Sequence, residues 1–128
     1  MKEITALGDG QIFVFGSNLA GHHAGGAALT AKETFGAEEG VGEGLTGQCY
    51  AFPTLDTNLK QRTHKELKES VVKLFKTASE HPDKVFFLTK VGCGIAGYDE
   101  EYMKYFFKFA PENIIGSSAE SVGGFWLR

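Results

Sequence analysis

The chain has 128 residues, of which 42% are hydrophobic, and a formal net charge of -3 at pH 7. This length is enough for one hydrophobic core and too short for two, so we expect a single domain over residues 1–128. The mild charge, without any block of lysines or arginines, argues against a protein that binds duplex nucleic acid.

The cysteines and the hydropathy bear on the compartment. The chain has two cysteines, Cys49 and Cys93, which lie far apart, and it has no signal-peptide pattern and no long apolar run. Two cysteines do not make the disulfide framework of a secreted domain. We therefore expect a cytoplasmic protein without a membrane segment, in which a disulfide has little support.

The first part of the chain predicts a strand, a glycine-rich loop and a helix. Residues 11–16 (QIFVFG) are an apolar run rich in β-branched and aromatic residues that ends at glycine, which is typical of a strand buried on both faces. A loop of small residues follows. Four residues then recur at helical spacing, namely Ala27, Ala28, Ala31 and Phe35. Gly36 ends this helix.

The middle of the chain predicts a loop, a second strand and a long helix. Residues 36–47 contain five glycines and three glutamates without periodicity, which favours a mobile surface loop. Residues 48–52 predict a strand that Pro53 stops. A helix is expected over residues 59–80, broken by the HPD sequence at 81–83. Its apolar face consists of Leu67, Val71, Leu74, Phe75 and Ala78.

The last part of the chain predicts a third strand, a second glycine-rich loop and a short helix. Residues 85–89 (VFFLT) lead directly into residues 91–98 (VGCGIAGY). Asp99 is the expected cap of a helix that Pro111 stops. The apolar stripe of this helix is Tyr102, Phe106 and Phe109. Residues 113–115 and 124–127 are candidates for short closing strands.

Strands that alternate with helices predict a layered α/β fold whose largely parallel sheet lies between helices. In such sheets ligands bind at the carboxyl ends of the strands, and both glycine-rich loops follow a strand. Successive backbone N–H groups can hold a phosphate there, provided that no Cβ atom obstructs the approach. A single loop of this kind is often only a tight chain reversal, whereas two favour a ligand site.

Several side chains near the loops have two interpretations each. Asn18 directly follows the first strand, where its amide would bond ribose hydroxyls or form an Asx-turn. His22 and His23 are adjacent and would diverge, so one of them faces the ligand and a metal pair is disfavoured. Asp56 and His64 offer acid or base chemistry only if the fold brings them inward.

Two residues of the second loop also have alternative roles. Cys93 suggests a thiol nucleophile, but no base accompanies it, so a small residue in a tight loop is the favoured interpretation. Tyr98 would stack on a base or sugar, or cover the edge of the core, and ligand contact is narrowly preferred. The chain lacks G-x-x-x-x-G-K-[ST], and residues 21–26 give no proper G-x-G-x-x-G with an acidic residue at the right distance, which disfavours ATP hydrolysis and an ordinary nicotinamide site.

Two motifs together carry a resemblance to a known family. The first is FGSN at residues 15–18 followed by HAGGAA at 23–28, an asparagine after a buried strand and then a glycine run that opens a helix. The second is VGCGIAGY at 91–98, which is similar to a loop of the form G-x-G-I-x-G-[YF]. On these motifs the chain resembles the macro domains, α/β modules that bind ADP-ribose, and more narrowly a group of compact bacterial and phage macro-like proteins.

This resemblance implies a three-layer α/β/α fold with a mixed, largely parallel sheet. In macro domains the first loop holds the distal ribose and the second wraps the diphosphate, which implies Asn18 beside that ribose. The implied ligand-binding residues are Gly16, Ser17, Asn18, Gly25, Gly26, Ala27, Gly92, Cys93, Gly94, Ile95, Ala96, Gly97 and Tyr98. The chain is shorter than most macro domains, has His22-His23 where a longer glycine run is usual, and offers Asp9 for the aspartate that reads adenine.

The expected function is the binding of a small nucleotide ligand, ADP-ribose or a related derivative. One alternative is a hydrolase of ADP-ribosyl or related bonds, in which Asn18 positions the attacking water and loop amides stabilise the developing charge. His23 is the other catalytic candidate. A second alternative is a partner-binding scaffold whose loops are structural. No metal and no cofactor is expected.

Overall fold

The computed structural model describes residues 6–116. Within this range the chain forms five strands and three helices. In chain order they are β1 (Gln11–Asn18), α1 (Gly26–Phe35), β2 (Gly44–Thr46), β3 (Cys49–Leu55), α2 (His64–Glu80), β4 (Val85–Leu88), α3 (Glu100–Tyr105) and β5 (Ile114–Ile115). The candidate strand at 124–127 lies outside the described residues.

The strands form one mixed sheet in the order β2-β3-β1-β4-β5. β1 pairs in parallel with β3 and β4, and β4 pairs in parallel with β5, while β2 is antiparallel to β3. The expected α/β class with a largely parallel sheet is confirmed. β1 lies at the centre of this sheet, which explains why its residues 12–15 are continuously apolar and buried.

The core consists of two clusters that β1 joins. Ile12 and Val14 belong to a cluster that contains side chains of α2 and α3, and Phe13 and Phe15 belong to a second cluster with side chains of α1. Successive residues of a strand point to opposite faces, so β1 supplies both clusters. None of the helices in the described part of the chain is long and apolar enough to span a membrane.

The first helix has the predicted form. α1 ends at Phe35, and Gly36 caps it in the left-handed conformation with φ 82°. Ala31 and Phe35 are its buried residues. A glycine suits this cap because a Cβ atom is disfavoured at positive φ.

The prediction for α2 was correct at its end and wrong at its start. The helix begins at His64, not residue 59, because Thr63 forms a capping box in which its hydroxyl accepts from the Glu66 N–H and Glu66 accepts from the Thr63 N–H. The preceding residues form a turn in which Asp56 Oδ1 accepts the N–H groups of Asn58 and Lys60. The predicted apolar face is buried except for Phe75, which is partly buried.

Pro53 does not stop β3, which was a wrong prediction. Ser17 pairs with Pro53 and Asn18 with Leu55, so β3 carries an extra residue, a bulge, at this point. β2 pairs with β3 only as far as Ala51. Proline lacks an N–H group and is accepted at bulges and strand edges, and here its carbonyl accepts a hydrogen bond of 2.8 Å from Arg62 Nη1.

The sequence predicted a loop over residues 36–47, but only the first part of this segment is a loop. Its last part forms β2, whose three residues pair with Cys49–Ala51 on β3. Three residues are too few for a period-two pattern to stand out, so pairing with β3 decides this strand. The remaining part of the segment packs against the first glycine-rich loop.

The start of α3 was predicted correctly, but its buried face was not. Asp99 caps the helix by accepting from the Tyr102 N–H at 3.1 Å. The helix ends at Tyr105, well before Pro111, and the chain continues in turns. The buried residues are Met103, Phe107 and Ala110. Of the predicted stripe, Phe106 is partly buried against the core, while Tyr102 and Phe109 are exposed, Phe109 by 84%. A helix of six residues followed by turns cannot keep a stripe of helical period.

Candidate ligand-binding cleft

The two predicted loops border one cleft. It has a volume of about 910 Å³ and lies where β1, β3 and β4 end, between the start of α1 and the loop after β4. This size suits a small-molecule site. Of the predicted ligand-binding residues, those that line it are Gly16, Ser17, Asn18, Gly25, Gly26, Ala27, Gly92, Cys93, Gly94, Ile95 and Ala96. A smaller hollow of about 410 Å³ beside α2 is lined by Arg62 and residues of that helix and includes neither loop.

Gly97 and Tyr98 were predicted to bind ligand, but neither lines the cleft. The Tyr98 hydroxyl donates to the Thr54 carbonyl and accepts from the Arg62 N–H, each at 2.7 Å. Its ring lies nearly parallel to that of Tyr102, with 6.2 Å between centroids. Burial raises the pKa of Tyr98, so the phenol stays protonated and able to donate. Tyr98 therefore ties the second loop to the rest of the fold.

The Asn18 side chain bonds the backbone of its own loop, but at His22, four positions on, and not two positions on as in the expected Asx-turn. Its Nδ2 donates to the His22 carbonyl at 2.9 Å, and its Oδ1 accepts from the His22 N–H at 3.1 Å. Asn18 also lines the cleft. The amide thus holds the backbone of His22 from both sides at the edge of the cleft.

The segment before β2 braces the first loop. Gly40 N–H donates to the Gly21 carbonyl at 2.8 Å, and the Ser17 hydroxyl donates to the Gly42 carbonyl. Gly21 has φ 76°, and a Cβ atom there would collide with the backbone of Gly40. Glycine is therefore required at Gly21 by close packing of two backbones, and not by a ligand.

Glu39 is the centre of this brace. Its carboxylate lies 3.1 Å from His22 Nδ1, accepts from the His23 N–H at 3.2 Å and pairs with Lys32 Nζ at 3.2 Å. These contacts, led by the hydrogen bond to His22, lower the pKa of Glu39 to about 2. Sequence reasoning missed Glu39 because its partners come from other segments of the chain.

The two adjacent histidines lie in different surroundings. His22 lines the cleft and its side chain is 66% exposed. His23 is buried, donates from Nε2 to the Glu38 carbonyl at 3.0 Å and meets the ring of Phe15 edge-on. The cleft lining does not include His23, which was a catalytic candidate.

Cys93 lines the cleft, but its environment disfavours a thiolate. Burial raises the pKa of its thiol to about 11, and the nearby Glu100 carboxylate adds to this effect. Its Sγ lies 3.6 Å from the Val91 carbonyl. The thiol is therefore protonated at neutral pH, which agrees with the structural interpretation. Both Cys93 and Cys49 are free thiols.

A charged pair at the cleft was also missed from the sequence. Lys90 Nζ lies 3.4 Å from Glu100 Oε1, and both residues line the cleft. Lys90 directly precedes the second loop, and Glu100 opens α3. The position of the lysine next to the loop is the sequence feature that could have predicted a charged group at the cleft.

The remaining candidates lie elsewhere. Asp9 precedes β1 at the end of the sheet opposite the cleft. Asp56 caps its own turn, and His64 Nδ1 lies 3.1 Å from the Tyr102 hydroxyl. Among residues 6–116 no three histidine, cysteine or acidic side chains are grouped so as to hold a metal ion.

No family model, curated protein or solved structure matches this chain. The function is therefore inferred from the geometry of the cleft itself. That geometry combines exposed backbone at two glycine-rich loops, one lysine in an ion pair and one imidazole beside a carboxylate.

Proposed function

We propose that this protein binds ADP-ribose or a related nucleotide derivative in the cleft, and that its α/β fold is a compact three-layer, macro-like arrangement. The proposal is supported by the position of the two loops. Each follows a parallel strand of the central pair β1 and β4, and the first leads into α1. Ligands of α/β proteins bind at this end of the sheet.

The observation that carries the proposal is that glycines face open space on both sides of the cleft. Gly25 is extended, with φ -163°, a conformation that any residue adopts. A Cβ atom at Gly25 or Gly94 would have no neighbour within 4 Å. Neither backbone conformation nor packing explains the missing side chains, in contrast to Gly21. Close approach of a ligand to the main chain does explain them.

The chemistry of the walls suits a nucleotide that carries phosphates. The N–H groups at the start of α1 are not used within the helix, and this end of a helix attracts negative charge. The backbone of residues 91–96 forms the opposite wall. Asn18 adds an amide at the edge of the cleft that can bond a ribose hydroxyl beside its bonds to His22.

The test is the thermal stability of the purified protein with ADP-ribose, ADP, AMP and NAD. A ligand present at 100 times its dissociation constant adds about 2.7 kcal/mol to the free energy of unfolding. Selective stabilisation by ADP-ribose supports the proposal. The absence of a shift with every one of these ligands at millimolar concentration overturns it.

A protein-binding scaffold is the second candidate, and exposed aromatic residues favour it. Tyr105 is 70% exposed and Phe109 84% exposed, both at the end of the chain segment that contains α3. Apolar side chains in such positions are common at protein interfaces. In this case the nucleotide panel gives no shift, and Tyr105→Ser with Phe109→Ser removes partner binding without lowering the thermal stability.

A further inference from the structure

The hollow beside α2 is separate from the cleft. Its volume is about 410 Å³, and its lining consists of Arg62, Glu69, Ser70, Val72 and Lys73. None of these five residues lines the cleft or belongs to a glycine-rich loop. Two of the lining side chains are cations and one is an acid, so what the hollow attracts depends on how the two cations are paired.

Arg62 is a half-buried cation without an ion pair. In the described part of the chain no carboxylate forms a salt bridge with its guanidinium. Its acceptors are neutral, since Nη1 donates to the Pro53 carbonyl and to Ser70 Oγ, each at 2.8 Å. Glu66 senses this charge, but hydrogen bonds from Thr63 are the main cause of its lowered pKa. Charges that are partly removed from water are normally paired, so Arg62 lacks the anion that its burial calls for.

The guanidinium is held in place, but its donors are not all used. Nη1 is fixed by one acceptor on β3 and one on α2. Nε is buried and has no hydrogen-bond partner among the described residues. Nη2 makes no hydrogen bond there either and, unlike Nε, it is accessible. An arginine that the protein orients and that keeps an accessible donor is suited to bind an anion.

Ser70 and Lys73 add two donors beside the guanidinium. They are three positions apart on α2 and therefore share one face of the helix. Ser70 is buried, and its hydroxyl accepts from Arg62 and can still donate its own proton. Lys73 Nζ lies 3.5 Å from Glu43 Oε1, and the lysine side chain is 66% exposed. Three donors on three different side chains thus border the hollow.

We propose that the hollow beside α2 is an anion site that binds one phosphate group, either inorganic phosphate or the phosphate of a small ester. Arg62 Nη2, the Ser70 hydroxyl and Lys73 Nζ each donate to a different phosphate oxygen. A phosphate group offers three or more acceptor oxygens and a carboxylate offers two, so three separate donors favour the phosphate. This site is independent of the nucleotide cleft.

Glu69 opposes the anion in this hollow. It is the one acid among the five lining residues, and a phosphate carries about two negative charges near neutral pH. Glu43 opposes binding as well, because it competes for the Lys73 ammonium. Removal of the Glu69 charge should therefore strengthen phosphate binding, a gain that a folding defect cannot imitate.

The experiment titrates the full chain with inorganic phosphate at constant ionic strength and follows the backbone amide signals by NMR. Saturable shifts at residues 69–73 are expected. Methyl phosphate and acetate are titrated in parallel. Equal shifts with methyl phosphate show that the site accepts an ester, and shifts with inorganic phosphate alone assign it to the free anion. Acetate that binds as tightly as phosphate overturns the assignment to phosphate.

Variants of the lining residues connect these shifts to the donors. Arg62→Gln and Lys73→Gln each weaken phosphate binding by about tenfold, because each loses a charge-assisted hydrogen bond. Glu69→Gln strengthens it by about threefold. Lys76→Gln removes a lysine of the same helix that does not line the hollow, and it keeps the wild-type affinity. If Arg62→Gln does not fold, the exposed positions Lys73 and Glu69 decide the question.

Three results would overturn this site. Phosphate shifts confined to residues 16–26 and 91–96 would place the anion in the cleft. No saturation at millimolar phosphate would mean that the hollow does not bind it. A Lys73→Gln variant with wild-type phosphate affinity would mean that the hollow is not where phosphate binds. Each of these results leaves the proposed binding of ADP-ribose standing.

Discussion

Lys90 and Glu100 form an ion pair at the cleft, with 3.4 Å between Nζ and Oε1. A bound phosphate would compete with Glu100 for the Lys90 ammonium. Lys90→Gln should therefore weaken ADP-ribose binding about tenfold, because a charge-assisted hydrogen bond is lost. Glu100→Gln should strengthen binding, since the lysine no longer has to leave a carboxylate. Both effects are measured by calorimetry and decrease at high salt.

Glu43→Gln is the matched control for Glu100→Gln. Glu43 pairs with Lys73 at 3.5 Å, and neither residue lines the cleft. The variant removes the same charge from a similar pair and should leave the affinity unchanged. Equal gains in Glu43→Gln and Glu100→Gln would mean that net charge, and not the pair at the cleft, controls binding.

Two glycine substitutions should affect different properties, ligand affinity at Gly94 and thermal stability at Gly21. Gly94→Ala places a methyl group in open space, so the thermal stability stays at its wild-type value while nucleotide binding weakens by about 1 to 3 kcal/mol. Gly21→Ala forces a Cβ atom against the backbone of Gly40 at φ 76°, so the melting temperature falls. Differential scanning calorimetry and ligand titration of both variants separate the two effects. Loss of stability in Gly94→Ala would show that its missing side chain has a structural cause.

The capping box at the start of α2 should contribute measurably to stability. Thr63→Ala removes the hydroxyl that accepts the Glu66 N–H, which costs about 1 kcal/mol in the free energy of unfolding. Urea denaturation monitored by circular dichroism measures this change. Thr57→Ala, in the exposed turn before the helix, is the control and should stay close to wild type.

Glu39 should make the stability depend on pH in the acidic range. Its pKa falls from 4.5 to about 2 in the folded protein, so its carboxylate stabilises the fold above the unfolded-state pKa. This contribution is lost as the pH falls from about 4.5 to about 2. Glu39→Gln should therefore lose less stability over that interval than the wild type. Denaturation at a series of pH values tests this, with the exposed Glu33→Gln on α1 as a control that follows the wild type.

Local patterns in the sequence were sufficient for several elements. The apolar run of β1, the glycine cap at Gly36 and the aspartate cap at Asp99 all depend on residues within a few positions of each other. The Thr63-to-Glu66 spacing was also visible, and applying the capping-box rule would have corrected the start of α2. Steric and hydrogen-bond rules of short range explain these successes.

Other features depend on contacts between distant segments. Pro53 is accommodated within β3 because β3 pairs with β2 only as far as Ala51 and bulges against β1. The short β2 exists only through its pairing with β3. Met103 and Phe107 are buried in the core while Phe109 is exposed, because the helix α3 ends at Tyr105 and turns follow it. No pattern along the chain contains this information.

The sequence by itself determined the α/β class and the two glycine-rich loops, because both arise from hydrophobic periodicity and from residues with special backbone freedom. The tertiary structure alone decided which side chains accompany those loops. In the folded protein Glu39 contacts His22 and Glu100 contacts Lys90. Tyr98 and His23 lie outside the lining of the cleft. Charges and hydrogen-bonding groups act on whatever packing places within a few ångströms of them, and packing joins segments that are far apart in the chain.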